Sequence, residues 1–168
     1  MEHARSIKSA EEIKAMRCSI SACETSIHVM EKETKPGMTE NDIWSILHSE
    51  NIKRGGEWIE TRLLSSGTKT NPWFQECGSR ILQKNEIVAF DTDLVGCYSM
   101  CTDISRTWWI GDQEPTKEMK QDYQIALEHI QKNAELVAPG VHFKDLTFKG
   151  HQLDDMYKKQ QYLSLIHI

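Results

Sequence analysis

The chain has 168 residues, a formal net charge of −5 at pH 7, 39% apolar and 27% charged residues, which is the balance of a soluble globular protein. That length holds one domain with a sizeable core, or part of a larger one. No Lys/Arg block is long enough to form a phosphate-binding stripe, which argues against nucleic acid or an anionic membrane as partner, and no apolar run is long enough to cross a bilayer.

The N-terminus, Met1-Glu2-His3-Ala4-Arg5-Ser6, lacks the apolar core of a signal peptide, so the expected setting is cytoplasmic. Five cysteines (Cys18, Cys23, Cys77, Cys97, Cys101) have no Cys-x-x-Cys spacing and read as reduced thiols. Ser9-Ala10-Glu11-Glu12 is a capping box. Behind it Ile13, Met16, Ile20, Cys23, Ile27 and Met30 recur at helical steps, predicting a helix to about Glu33 with a core-facing stripe. Lys35-Pro36-Gly37 stops that helix. Thr39 caps a second over residues 40 to 53, with Ile43, Ile46 and Leu47 inward, which Gly55-Gly56 ends.

The period then changes. Trp58 to Leu64 reads as a strand, Ser65 to Pro72 as a loop, and Trp73 to Cys77 as a short exposed or pocket-lining segment. Ile81 to Glu86 leads into Ile87-Val88-Ala89-Phe90-Asp91-Thr92-Asp93-Leu94-Val95-Gly96, and Cys97 to Ile110 returns it as a hairpin carrying Asp103. Asp91 and Asp93, two apart on a strand, would share a face. Half-buried carboxylates with no adjacent cation repel, and Asp is depleted in strands, so three of them on one hairpin point to a bound cation. Oxygen ligands suit hard or borderline divalent ions and leave Fe, Mn, Co and Zn open. A third helix is predicted from about Thr116 to Val137. Beyond it Pro139-Gly140 and Asp145-Leu146 repeat Pro36-Gly37 and Asp42-Ile43 at an offset of 103 residues. Matched helix, Pro-Gly and helix units suggest a duplicated half whose second copy would reach its strands past residue 168.

Lys8-Ser9-Ala10-Glu11-Glu12-Ile13, Lys35-Pro36-Gly37-Met38-Thr39-Glu40 and the hairpin ending in Asp103-Ile104-Ser105-Arg106-Thr107 resemble the pita-bread metalloenzymes, which include methionine aminopeptidase, aminopeptidase P, prolidase and creatinase. The resemblance implies an α+β fold of two pseudo-symmetric halves around a dinuclear metal site. This chain would supply the first half and the opening helices of the second. Residues 1–162 would be a partial catalytic domain. Residues 163–168 resemble a translated sequencing adapter and would be a non-native tail.

A more specific resemblance is to the dimethylsulfoniopropionate (DMSP) lyases of the DddP type, carried by Arg54 to Arg62, Asn71 to Gly78 and Phe90 to Gly96. Peptidases of the fold usually have two Asp in the hairpin, at a spacing between the two found here. Asp91 and Asp93 stand twelve and ten residues before Asp103, which matches the lyase pattern. The resemblance implies metal ligation by Asp91, Asp93, Asp103 and His167, and substrate contact by Tyr162. It implies two divalent ions, iron in the lyase, a small-molecule substrate (DMSP), and a homodimeric full-length parent. Trp58, Trp73, Phe74, Trp108 and Trp109 are candidate walls for the substrate sulfonium. The catalytic base and remaining ligands would lie in the second half, so the chain alone is expected to be inactive. The alternatives are an Xaa-Pro metallopeptidase of the same fold and a non-catalytic binding module.

Overall fold

A computed structural model gives the fold and describes residues 2–159. Two compact units emerge. The first comprises the chain up to Thr70 together with Phe74–Asp112, and the second comprises Asn71–Trp73 and the chain from Gln113. No helix among the described residues is long and apolar enough to cross a membrane.

The first unit opens with the short α1 (Glu2–Ser6), followed by α2 (Ala10–Glu33) and α3 (Glu40–Lys53). Both long helices start where the Ser9 capping box and the Thr39 cap predict, and Thr39 proves to form a capping box as well. Ser9 Oγ accepts from Glu12 N at 3.2 Å while Glu12 Oε2 accepts from Ser9 N at 2.7 Å. Thr39 and Asp42 make the same reciprocal pair, at 3.1 and 2.8 Å. Gly37 and Gly55 end the helices with φ of +94° and +84°, a conformation glycine adopts without steric cost.

Only the C-terminal part of the expected α2 stripe is core. Cys23, Ile27 and Met30 are buried, whereas Ile13 and Ile20 remain exposed. Ser19 and Ser26 share the buried face: Ser26 Oγ donates to Ala22 O within the helix at 2.7 Å, and Ser19 sits where the helix comes closest to the turn between β4 and β5. Ser19 Oγ donates to Met100 O at 2.7 Å, and a Cβ on Gly96 would collide with that hydroxyl. From α3, Ile43, Trp44 and Leu47 join Leu64, Leu82, Val88, Phe90, Leu94 and Ile110 in one cluster. Each such side chain contributes about 1.5–3 kcal/mol by leaving water.

Two three-stranded antiparallel ladders receive these helices. One runs in the order β2 (Leu64–Ser66), β3 (Glu86–Phe90), β6 (Arg106–Ile110); the other in the order β1 (Trp58–Ile59), β4 (Asp93–Val95), β5 (Cys101–Asp103). The segment expected to be one strand from Trp58 to Leu64 is thus split between ladders, and so is the segment from Ile87 to Val95. The hairpin register nevertheless survives the split. Phe90 pairs with Arg106 and Asp93 with Asp103, so Asp91 stands opposite Ser105 across the interruption. The outer strand does slip. Four residues separate Ile59 from Leu64, but only three separate their partners Leu94 and Phe90, so one extra residue is accommodated as a bulge beside the carboxylates.

One buried charge fastens α3 to this framework. Glu40, with no exposed surface, accepts from Ser66 N (2.9 Å) and Ser66 Oγ (2.8 Å) on Oε1, and from Lys69 Nζ (2.6 Å) and Gly78 N (3.1 Å) on Oε2.

The second unit carries α4 (Lys117–Ala134), α5 (Phe143–Lys149) and α6 (Asp155–Lys159). Its local geometry repeats that of the first unit at the predicted offset. Gly140 has φ +87°, as Gly37 has +94°, and in both copies the residue two positions on, His142 or Thr39, is the N-cap of the next helix. The copies differ in burial: Ile27 of α2 is 5% exposed, whereas its counterpart Ile130 of α4 is 64% exposed.

Candidate metal centre

The three aspartates lie at and beside the interruption of the hairpin. Phe90, the last residue of β3, is buried edge-on against Trp108, with ring centroids 5.7 Å apart. The backbone then leaves the ladder for Asp91 and Thr92. Asp91 is 3% exposed; its N donates to Leu63 O (2.8 Å), and its Oδ1 accepts from Ser105 Oγ (2.7 Å) and Thr92 N (3.0 Å). A buried carboxylate is costly unless hydrogen-bonded, and these contacts also fix its orientation.

Asp93 opens β4 directly opposite Asp103 at the end of β5. Directly opposed residues of an antiparallel pair project from the same face with Cβ atoms about 4.5–5.5 Å apart, so two like charges flank one point in space. Asp93 Oδ2 accepts from Thr61 Oγ1 at 3.3 Å, and Glu60 N donates to Asp93 O at 3.2 Å, which tie it to the bulged outer strand. Arg106 lies 3.5 Å from Glu24 and donates to the Ser105 carbonyl at 2.8 Å.

A tight turn joins the two strands. Met100 N donates to Cys97 O at 3.3 Å, and Tyr98 and Ser99 both have positive φ, +61° and +57°. Side-chain-bearing residues pay about 1–2 kcal/mol each in that region. Ser99→Gly is therefore expected to raise stability by roughly 0.5–1 kcal/mol, since glycine's extra unfolded-state entropy cancels part of the relief. A chemical-denaturation midpoint at or below that of the parent sequence would refute this.

Thus the structure pairs Asp93 with Asp103 and holds Asp91 one residue away from the ladder, under Ser105. Among the described residues no three His, Cys, Asp or Glu side chains converge to hold a metal. The donor set is carboxylate oxygen, which fits a hard or borderline divalent cation. Tyr162 and His167 lie outside the described residues. The aromatic candidates separate: Trp108 packs in the core against Phe90, while Trp58 and Phe74 are about half exposed. A cleft of about 360 Å³ between α2 and β6 is lined by Trp108, Trp109, His28 and Glu31 and contains none of the three aspartates. Thr61 and Ser105 are partners that sequence reasoning missed. Ser105 had a signal, since a hydroxyl opposite a buried Asp in an in-register hairpin is placed to donate to it.

Comparison with known proteins gives a family match and a shared fold. The sequence profile of metallopeptidase family M24 matches residues 14–164. The dimethylsulfoniopropionate lyase DddP of Roseobacter denitrificans is 56% identical over 99% of this chain, and that of Roseovarius nubinhibens 54% identical over the same share. The chain spans 38% of the length of each. Among solved structures, the Xaa-Pro dipeptidase from Bacillus anthracis superposes with a TM-score of 0.79 at 21% identity, over 96% of this chain and 44% of that one.

Proposed function

The chain belongs to metallopeptidase family M24, and on that premise we propose that it is the opening part of a metal-dependent carbon–sulfur lyase that cleaves DMSP to dimethyl sulfide and acrylate. The observation that carries this reading is the 56% identity to a named DMSP lyase over 99% of this chain. Residues 1–162 would be the first portion of one catalytic domain. Asp91, Asp93 and Asp103 would supply oxygen ligands for two divalent ions, with iron the first candidate by similarity to the lyases.

Bound metal would supply Lewis acidity toward the substrate carboxylate. The elimination itself removes the proton α to that carboxylate, breaks the bond from the β carbon to sulfur and releases neutral dimethyl sulfide. This chain's residues would contribute position and charge. The Asp93–Asp103 pair gathers negative charge at one point of the sheet, Thr61 orients Asp93, and Ser105 with the Leu63 carbonyl holds Asp91. Tyr162 would add a substrate contact from the second half; His167 falls in the ligand register but within the six residues read as a non-native tail, so it carries no part of this proposal.

The deciding experiment is a headspace assay for dimethyl sulfide on the full-length protein, run beside hydrolysis of Xaa-Pro dipeptides. Dimethyl sulfide without dipeptide cleavage is expected; dipeptide cleavage without dimethyl sulfide would replace the lyase reading with the peptidase one. Ser105→Ala, in the same protein, is expected to weaken metal retention by about 10–100-fold, the usual cost of losing a partner that orients a ligand. Unchanged metal content after dialysis against a chelator series would remove Ser105 from that role.

A further inference from the structure

The cysteines, taken pair by pair, yield one arrangement that the proposed activity does not use. Cys18 stands on the exposed side of α2, and Cys97 is 6% exposed at the start of the turn that joins β4 to β5. Cys18 adjoins Ser19 on α2 and Cys97 adjoins Gly96 in the turn, so the two thiols, 79 residues apart in sequence, are neighbours where those segments meet. Their neighbours hold the two segments together. Ser19 Oγ donates to Met100 O at 2.7 Å, and Gly96 offers its bare Cα to Ser19, where a Cβ would collide with the hydroxyl. Cys97 Sγ donates to Arg54 O at 3.2 Å, which fixes the turn residue against the end of α3. The remaining thiols are placed differently. Cys23 is fully buried, Cys77 is buried and donates to Asn41 Oδ1 at 3.2 Å, and Cys101 lies on β5 opposite Val95.

We propose that Cys18 and Cys97 are a redox pair that closes to an intramolecular disulfide under a peroxide-class oxidant, stapling α2 to the turn between the Asp93 and Asp103 strands. The exposed Cys18 sulfur attacks one peroxide oxygen, giving a sulfenic acid and one water. The Cys97 sulfur then attacks the Cys18 sulfur, the sulfur–sulfur bond forms, and the hydroxyl leaves with the Cys97 proton as a second water. Two thiols are oxidised by two electrons and one peroxide is reduced. Burial, and next the Cys18 thiol beside it, push the Cys97 thiol above its ordinary range. That makes Cys97 the poorer first nucleophile, so the exposed Cys18 is the thiol that meets peroxide first. The inference rests on the contact between the two segments and not on the reaction proposed above.

The test treats the purified chain with hydrogen peroxide, then unfolds and alkylates it. The five alkylatable thiols are expected to fall to three, with one cross-link between the tryptic peptide after Arg17 and the peptide ending at Arg106. Each of those peptides holds a second cysteine, Cys23 or Cys101, so variants assign the bridge. Cys101→Ser is expected to keep the cross-link. Cys18→Ser, a change on an exposed helix face, is expected to abolish it and leave Cys97 alkylatable, with an unchanged far-ultraviolet circular dichroism spectrum. A cross-link that survives in Cys18→Ser, bridges to Cys101 or joins two chains would overturn the proposal. So would Cys18 oxidised to a sulfinic acid while Cys97 stays free.

Discussion

Replacing Glu40 with Ala is expected to cost about 3–5 kcal/mol of folding free energy, the range for breaking a buried ion pair by removing one partner. The truncation strands the Ser66 and Gly78 amides and leaves the Lys69 ammonium, only 28% exposed, without its carboxylate. With a urea dependence of about 1–3 kcal/mol per molar, the midpoint of unfolding should fall by roughly 2 M. Glu40→Gln should fall between the two, because the amide oxygen can still accept from Ser66 N while the charge opposite Lys69 is gone. A Glu40→Ala midpoint within about 0.5 M of the parent would mean that solvent replaces the lost partners. The residue sits at the first position of α3, where a carboxylate would ordinarily be read as a favourable charge at a helix N-terminus worth about 0.3–1 kcal/mol. Its enclosure by residues 26 to 38 positions away makes it a tertiary anchor instead.

The second large effect has opposite signs in two settings. On the proposed function, Asp93→Asn in the full-length protein is expected to lower dimethyl sulfide production by more than about 100-fold, since even partners of metal ligands are worth 10–100-fold. In the metal-free chain the same change should raise stability by about 0.2–1 kcal/mol, because like charges directly opposed across a ladder repel and Asn retains an acceptor for Thr61. Activity is read by headspace assay and stability by urea titration in the presence of a chelator. A variant that retains activity would remove Asp93 from the centre. A destabilised metal-free variant would show instead that the opposed carboxylates are not the source of strain. Such a split is expected wherever a site keeps an arrangement that the fold alone disfavours.

Both long helices of the first unit were legible in the sequence because their signals are local: a capping box at Ser9, a capping Thr39, glycines at 37 and 55, apolar residues at helical spacing between them. The three aspartates were legible because a row of carboxylates contradicts the chemistry of a strand. The division of the hairpin into two ladders was not. Alternation around Phe90 and Leu94 looks the same whether a strand continues or changes ladders, and the bulge opposite them depends on residues some thirty positions earlier. Exposure of Ile13 and Ile20 was equally hidden, since helical spacing defines a stripe without saying how much of it the sheet reaches. The contact of Cys18 with Cys97 and the enclosure of Glu40 share that cause. Each is a meeting of distant segments with no local trace.

The division of the chain into units also sets an order of events during synthesis. Asp91, Asp93 and Asp103, with every strand and both long helices that position them, belong to the unit that ends at Asp112. At about 5–20 residues per second, a ribosome completes that stretch in roughly 6–20 s, and it can close while later residues are still being added. The carboxylates are then in position, and mutually repelling, before any downstream ligand exists. On the proposed function, a cation captured at that moment would stabilise the nascent unit, and metal supply during translation would then bear on how much protein reaches its folded state.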